Sequence, residues 1–257
     1  MNGWINIYKP KGYTSTYCLN VIKSKFKLKK IGHAGTLDPL AEGILPVAIG
    51  EATKSIPYLS ETKKSYLFEV FWGKETTTLD SEGEIAKTSE VIPSIEDIRK
   101  VIKNFIGNIQ QVPPKFSAKK IDGRRCYDLA RNNEDFELKA VTVKIFNLRV
   151  LSHEQDKTSF LVTCGSGTYV RSIARDLAYS LNTFGHASKI FRCRYGNFSK
   201  KTSLNMDFLV KTLEKSEFSK YLLDIEKVLI HIPSIKLEGK RIKLIKNGMK
   251  VSMLEEF

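Results

Sequence analysis

Cys18, Val21, Ile22 and Phe26 recur at the spacing of one helix face, which predicts a helix over residues 16–27. Thr14 and Ser15 precede it and can cap its first turn. The period then changes. Residues 65–72, Ser-Tyr-Leu-Phe-Glu-Val-Phe-Trp, predict a strand whose alternation puts Tyr66, Phe68, Val70 and Trp72 on one face. Helical spacing returns after Ser94, through Ile95, Ile98, Val101, Ile102 and Phe105, and stops at Gly107. Residues 141–151 and 158–164 are rich in Val, Ile, Phe and Thr and read as paired strands. Gly165-Ser166-Gly167 turns the chain into a helix carrying Val170, Ile173, Ala174, Leu177 and Leu181. A shorter helix is predicted after Ser203. Long strands mixed with separated helices predict an α+β domain.

At 257 residues and 42% hydrophobic content, the chain is long enough for one large domain, or one with a small appendage. Its formal net charge is +14, from 42 Lys+Arg against 28 Asp+Glu. Such a balance favours a polyanionic partner, nucleic acid before anionic membrane. No N-terminal apolar run resembles a signal peptide, and no stretch approaches 18 apolar residues. A cytoplasmic protein without membrane association is expected. Cys18, Cys126, Cys164 and Cys193 form no CxxC pair, and the four histidines lack ligand spacing, so no metal site is predicted.

Two segments hold the candidate chemistry. Residues 31–46, Ile-Gly-His-Ala-Gly-Thr-Leu-Asp-Pro-Leu-Ala-Glu-Gly-Ile-Leu-Pro, contain three glycines and two prolines and predict a structured loop. Pro39 pushes Asp38 out of helical geometry, so one carboxylate is displayed on a stiff frame, as a nucleophile or general base requires. Residues 113–135 cluster Lys115, Lys119, Lys120, Arg124, Arg125 and Arg131 with Phe116 and Tyr127 interleaved. Cations of this kind bind phosphates, and aromatic rings stack on exposed bases. Asp80, Glu82 and Glu84 alternate beside Gly83, where a hairpin turn is expected rather than a cation loop. Gly165-Ser166-Gly167-Thr168 stands before a helix and could cradle phosphate, but it lacks the GK[ST] ending of a P-loop.

The string Gly32-His33-Ala34-Gly35-Thr36-Leu37-Asp38-Pro39 resembles the catalytic loop of the TruB-type tRNA pseudouridine synthases. Ile5 to Ser15, with Lys9-Pro10, resembles that family's opening motif. Gly50-Glu51-Ala52-Thr53-Lys54, Lys64-Ser65-Tyr66, Thr76 to Gly83, Val112-Pro113-Pro114 through Ser117-Ala118, and Gly167-Thr168-Tyr169-Val170-Arg171-Ser172 follow in the family's order. The likeness covers roughly residues 3–200.

It implies a pseudouridine synthase fold, a mixed, largely antiparallel sheet flanked by helices with the site in a cleft across its middle. The implied reaction isomerises the T-loop uridine at tRNA position 55, with base flipping and no cofactor. Asp38 would be the essential catalytic residue, with a glycal-type route from C2′ deprotonation favoured. Arg171 would pair with Asp38, hold it ionised and orient it. Tyr66 would stack on the uracil, and His33 would fill the space left by the flipped base. Lys9, Lys54, Lys119, Lys120, Arg124 and Arg125 are the expected RNA-binding cations. Residues 1–232 would form the catalytic domain, with 113–135 as an RNA-gripping insertion. Residues 233–257 would be a short, incomplete PUA-like segment. A monomer acting on the tRNA T stem-loop is expected. The alternatives are a catalytically impaired tRNA-binding chaperone, or the same reaction on another RNA. One departure is that Arg192 stands where the resemblance expects a leucine walling the uracil pocket.

Overall fold

The structure is a computed structural model that describes residues 1–132 and 134–251. Strand β1 (Gly3–Lys9) leads into helix α1 (Ser15–Phe26), as the apolar spacing predicts. Thr14 caps α1 by accepting from the Tyr17 N–H at 3.0 Å, and Lys27 ends it in the left-handed region. The glycine- and proline-rich stretch is not all loop. Strand β2 (Ile31–His33) occupies its start, and β3 (Glu42–Ile49) begins before its end, leaving Ala34–Ala41 as the irregular part. Helix α2 (Ile56–Ser60) connects to β4 (Lys64–Trp72), which alternates buried and half-buried along its whole length.

A small hairpin follows, β5 (Lys74–Thr76) with β6 (Ile85–Thr88), and its turn contains Asp80 as expected. Ser94 caps α3 (Ile95–Val101), which tightens to a 3₁₀ turn over Ile102–Phe105 before β7 (Gly107–Gln111). The insertion forms a two-residue hairpin, β8 (Lys120–Ile121) and β9 (Arg124–Arg125), and then α4 (Cys126–Arg131). Strands β10 (Val141–Glu154) and β11 (Lys157–Cys164) pair antiparallel as predicted. Helix α5 (Val170–Ser180) precedes β12 (Gly185–Tyr195), β13 (Phe198–Ser199) and β14 (Leu204–Asn205). The helix expected after Ser203 is replaced by β14 and a single π-type turn over Phe208–Thr212. Helices α6 (Ile225–Val228) and α7 (Lys240–Lys246) come last.

Ten strands make one sheet in the order β14-β1-β3-β12-β4-β11-β10-β7, with β2 on β3 and β13 on β12. Among the described residues only the β1–β14 and β3–β12 strand pairs are parallel, so the expected mixed, largely antiparallel sheet is present. One core lies on the sheet face where Phe68, Val70 and Trp72 meet Ile22 and Phe26 of α1 and Ile173 and Leu177 of α5. A second, smaller core, with Trp4, Ala48, Leu59 and Phe198, covers the other face near β1 and β3. Coverage on both faces explains why β1 and β3 read as apolar runs rather than alternating. Residues 233–251 supply α7, which buries no side chain, and no strand. The rest of the segment expected to be PUA-like, 252–257, lies outside the described residues. No helix among the described residues is long and apolar enough to cross a membrane.

Candidate active site

Asp38 sits on Ala34–Ala41, and its neighbours are tied down on both sides. Ser15, buried at the start of α1, accepts from the Leu37 N–H at 2.9 Å and donates to the Leu37 carbonyl at 3.0 Å. The Pro39 carbonyl accepts from the Gly12 N–H at 2.8 Å, and the Ala41 N–H donates to the Asp38 carbonyl at 3.1 Å. Every backbone group satisfied in this way removes a way for the loop to move.

Lys9 belongs to the same frame. Its ammonium is fully buried and donates to the carbonyls of Pro10 at 2.9 Å, Tyr13 at 2.6 Å and Pro39 at 3.5 Å. Lys9 is expected among the RNA-binding cations; here its ammonium is committed to backbone carbonyls and braces the Asp38 loop. Burial pushes its pKa down to about 8.

Arg171 is the second residue of α5 and lies beneath Asp38, with its side chain 5% exposed against 39% for the carboxylate. Nη2 stands 2.8 Å from Asp38 Oδ2. The other donors are also used: Nη1 reaches the Thr78 carbonyl at 2.8 Å and Nη2 the Phe116 carbonyl at 2.9 Å. Nε lies 3.6 Å from Asp80 Oδ2. Asp80 is buried and accepts from the Thr78 hydroxyl at 2.6 Å and the Glu82 N–H at 3.1 Å. The hairpin turn thus does more than reverse the chain, because its carboxylate backs the arginine that holds Asp38. Gln111 of β7 fixes the entry to α5. Its amide accepts from the Tyr169 N–H at 2.8 Å and donates to the Tyr169 carbonyl at 3.2 Å.

These residues open on a cleft of about 340 Å³ lined by Asp38, Arg171, Tyr66, Tyr169, Lys64 and Ile190, among others. Tyr66 is the third residue of β4, opposite Val162 of β11 and Arg192 of β12. Burial raises its pKa, against the opposing charge of Arg192, so its phenol is protonated at neutral pH. Ile190 supplies the aliphatic wall that the resemblance expects as leucine. Arg192, expected at that place, is buried and turns its guanidinium into the loop. The two residues are two apart on a regular stretch of β12, facing Phe68 and Tyr66 of β4, so both reach the cleft, Ile190 with its aliphatic side chain and Arg192 from behind the loop.

Lys64 is the cleft residue whose chemistry the sequence hid. Its ammonium donates to the Ser60 carbonyl at 2.6 Å and to Ser166 Oγ at 2.9 Å, and stands 4.9 Å from the Tyr195 ring centre. Burial lowers its pKa from 10.5 to about 8. The folded state therefore gives up this proton more readily than the unfolded chain. Between about pH 8 and pH 10.5 the unfolded chain keeps the proton and the native state does not, so the contribution of Lys64 to stability rises with pH in that window. Lys64→Met should flatten this rise, and urea midpoints at about pH 7.5 and 9.5 check it.

The remaining expected residues lie elsewhere. His33 ends β2 and does not line the cleft. Its Nδ1 is buried without a partner, and burial together with the Arg192 charge lowers its pKa, so the ring is neutral. Lys54 is exposed and pairs with Glu51 at 2.5 Å. Lys120, Arg124 and Arg125 are exposed on the β8–β9 hairpin, with Lys119 half-buried beside it. Arg124 pairs with Glu134 at 2.5 Å, and Arg125 lies 5.7 Å from the Tyr127 ring centre. None of these four lines the cleft, but Ser117 and Ala118 do, so the insertion starts at its rim.

The TruB family pseudouridylate synthase N-terminal domain matches residues 23–170. The chain is 45% identical to the tRNA pseudouridine synthase B of Ehrlichia chaffeensis, covering 98% of this chain and 87% of that protein. It is 42% identical to the tRNA pseudouridine synthase B of Caulobacter vibrioides, covering 99% and 82%. Among solved structures, a Cbf5–Nop10–Gar1 complex superposes with a TM-score of 0.73 at 28% identity, covering 96% of this chain and 67% of that one. The match spans β2, the Asp38 loop, β4 and the approach to Arg171, which are the elements that build the cleft. The chain belongs to the TruB family of pseudouridylate synthases.

Proposed function

We propose that this protein is a tRNA pseudouridine synthase that isomerises the T-loop uridine at position 55. The observation that carries this reading is the half-exposed Asp38 carboxylate held 2.8 Å from a buried arginine at the mouth of a cleft with Tyr66. In the reaction the bond from C1′ to N1 breaks, the uracil turns, and C1′ bonds to C5. The C5 proton leaves, and N1 acquires one. Atoms and electrons balance within the nucleoside, so the isomerisation needs no redox partner.

Asp38 can serve by attacking C1′, by attacking C6, or by taking the C2′ proton, and each route requires the ionised acid. Its resemblance to the family favours the third. A charge partner behind the acid keeps it aimed, while its exposed side remains open to the sugar. In this reading Tyr66 stacks on the uracil and Ile190 packs beside it, both being residues that line the cleft. The target uridine must leave its stack to enter, and the protein reads a folded loop rather than a short code. His33 would fill the gap in the stack only if the RNA reaches the end of β2. We further read the protein as a cytoplasmic monomer.

Affinity is expected to come from phosphate contacts of the 113–135 insertion and of Lys54. Replacing Lys119, Lys120, Arg124 and Arg125 together with Ala should flatten the plot of log affinity against log salt by roughly two to four units. An unchanged slope would leave these side chains as ordinary surface. The reaction itself is tested with a T stem-loop carrying tritium at uridine C5. Release of one tritium per RNA into water supports the reading, and complete retention refutes it.

A further inference from the structure

Arg192 contributes to the cleft from behind. It is 1% exposed, one of the largest fully buried side chains. Its Nε donates to the Ile44 carbonyl at 2.7 Å, and Nη2 donates to the Gly35 carbonyl at 3.0 Å. Those carbonyls stand at the two ends of the segment that carries Asp38. The guanidinium fork fits this task, because two nitrogens at a fixed separation serve two acceptors at once.

The backbone is shaped to let it in. Gly35 and Gly43 both have positive φ, at +76° and +109°. A Cβ at Gly43 would lie 2.3 Å from the Arg192 carbonyl oxygen, and one at Gly35 would lie 3.1 Å from the Tyr195 ring. Residues 192 and 43 are also Cα partners in the parallel β3–β12 pair. The Tyr195 ring, fully buried, lies 5.0 Å from the guanidinium carbon and packs it from one side. The Tyr66 ring lies 6.0 Å away, which brings the same cation to the cleft tyrosine.

We propose that Arg192 is a positioning residue that clamps both ends of the Asp38 loop to β12 and so sets the carboxylate against Arg171 and the cleft. This rests on the functional reading above, because its catalytic consequence is read on that reaction. Arg192 touches no reacting atom in this role. Its loss costs the geometry of Asp38, and a displacement of about 1 Å at a reacting group is worth roughly a hundredfold in rate.

The experiment compares Arg192→Met and Arg192→Lys with the wild type by three readouts: thermal melt, T stem-loop affinity, and single-turnover rate at saturating RNA. Arg192→Met should stay within several-fold in affinity and fall roughly 100-fold in rate. Arg192→Lys keeps the charge but has only one nitrogen for two acceptors, so it should fall between, roughly 10-fold down. A folded Arg192→Met protein with a rate within about threefold of wild type overturns the clamp. If Arg192→Met does not fold, Arg192→Lys decides: slowed turnover at unchanged affinity supports the clamp, and wild-type turnover overturns it. Amide hydrogen exchange over residues 35–44 reads the clamp without any turnover. Faster exchange there in Arg192→Lys supports it, and unchanged exchange overturns it. If the wild type itself fails to convert the RNA, the functional reading has failed, and the exchange readout still judges the clamp.

Discussion

Asp38→Asn should remove turnover, by roughly 10²–10⁴-fold or to below detection, while RNA affinity stays within several-fold. The amide has nearly the shape of the acid, so the loop held by Ser15, Gly12 and Lys9 has no reason to move. What is lost is the negative charge and the basic oxygen. Arg171 keeps Asp80 as a counter-ion and keeps two carbonyl acceptors, so its position survives the change. Affinity should persist because phosphate contacts dominate it. Single-turnover kinetics and a binding titration on the same protein separate the two quantities. A variant that turns over at a wild-type rate would remove Asp38 from the chemistry.

Arg171→Met should be the second most damaging change, and it should act on stability as well as rate. The guanidinium neutralises two carboxylates and satisfies two carbonyls. Methionine leaves Asp80 buried and unpaired, and breaking a buried pair in this way costs roughly 3–5 kcal/mol. The Asp38 side of the pair is half-exposed and screened by water, so it should contribute the smaller share. Arg171→Lys keeps a cation but cannot reach both carboxylates and both carbonyls with one nitrogen. It should fold, bind RNA and lose roughly 100-fold in single-turnover rate. Melting curves alongside the rates check the two variants. An Arg171→Met protein as stable and as fast as wild type would mean that the ion pair has no bearing on either.

The elements that apolar period could reveal are those with one buried face. Helix α1, strand β4, helix α3 and the β10–β11 pair follow the 3.6 and 2.0 periods because each packs on one side. Strands β1 and β3 do not alternate, since cores lie on both sides of them. The stretch 31–46 was legible as a special segment, but its glycines and prolines masked β2 and the start of β3. Asp38 and Arg171 could be paired only through resemblance, because 133 residues separate them in the chain and the contact is made by folding. Lys9 and Lys64 look like surface cations in a basic chain, and nothing in composition marks a buried ammonium. Asp80 reads as a turn residue and is one, yet its carboxylate faces Arg171. Ile190 was not legible as a cleft residue, because an isoleucine on a strand reads as ordinary core, while Arg192 two residues on shares its regular stretch of β12.

The most direct test of the central claim is position-resolved mapping of pseudouridine in a full-length, unmodified tRNA transcript after incubation with the wild-type protein. The account predicts conversion of the T-loop uridine at position 55, and of no other uridine, without added cofactor. A transcript left wholly unmodified, or modified at a different uridine while position 55 stays intact, would contradict it.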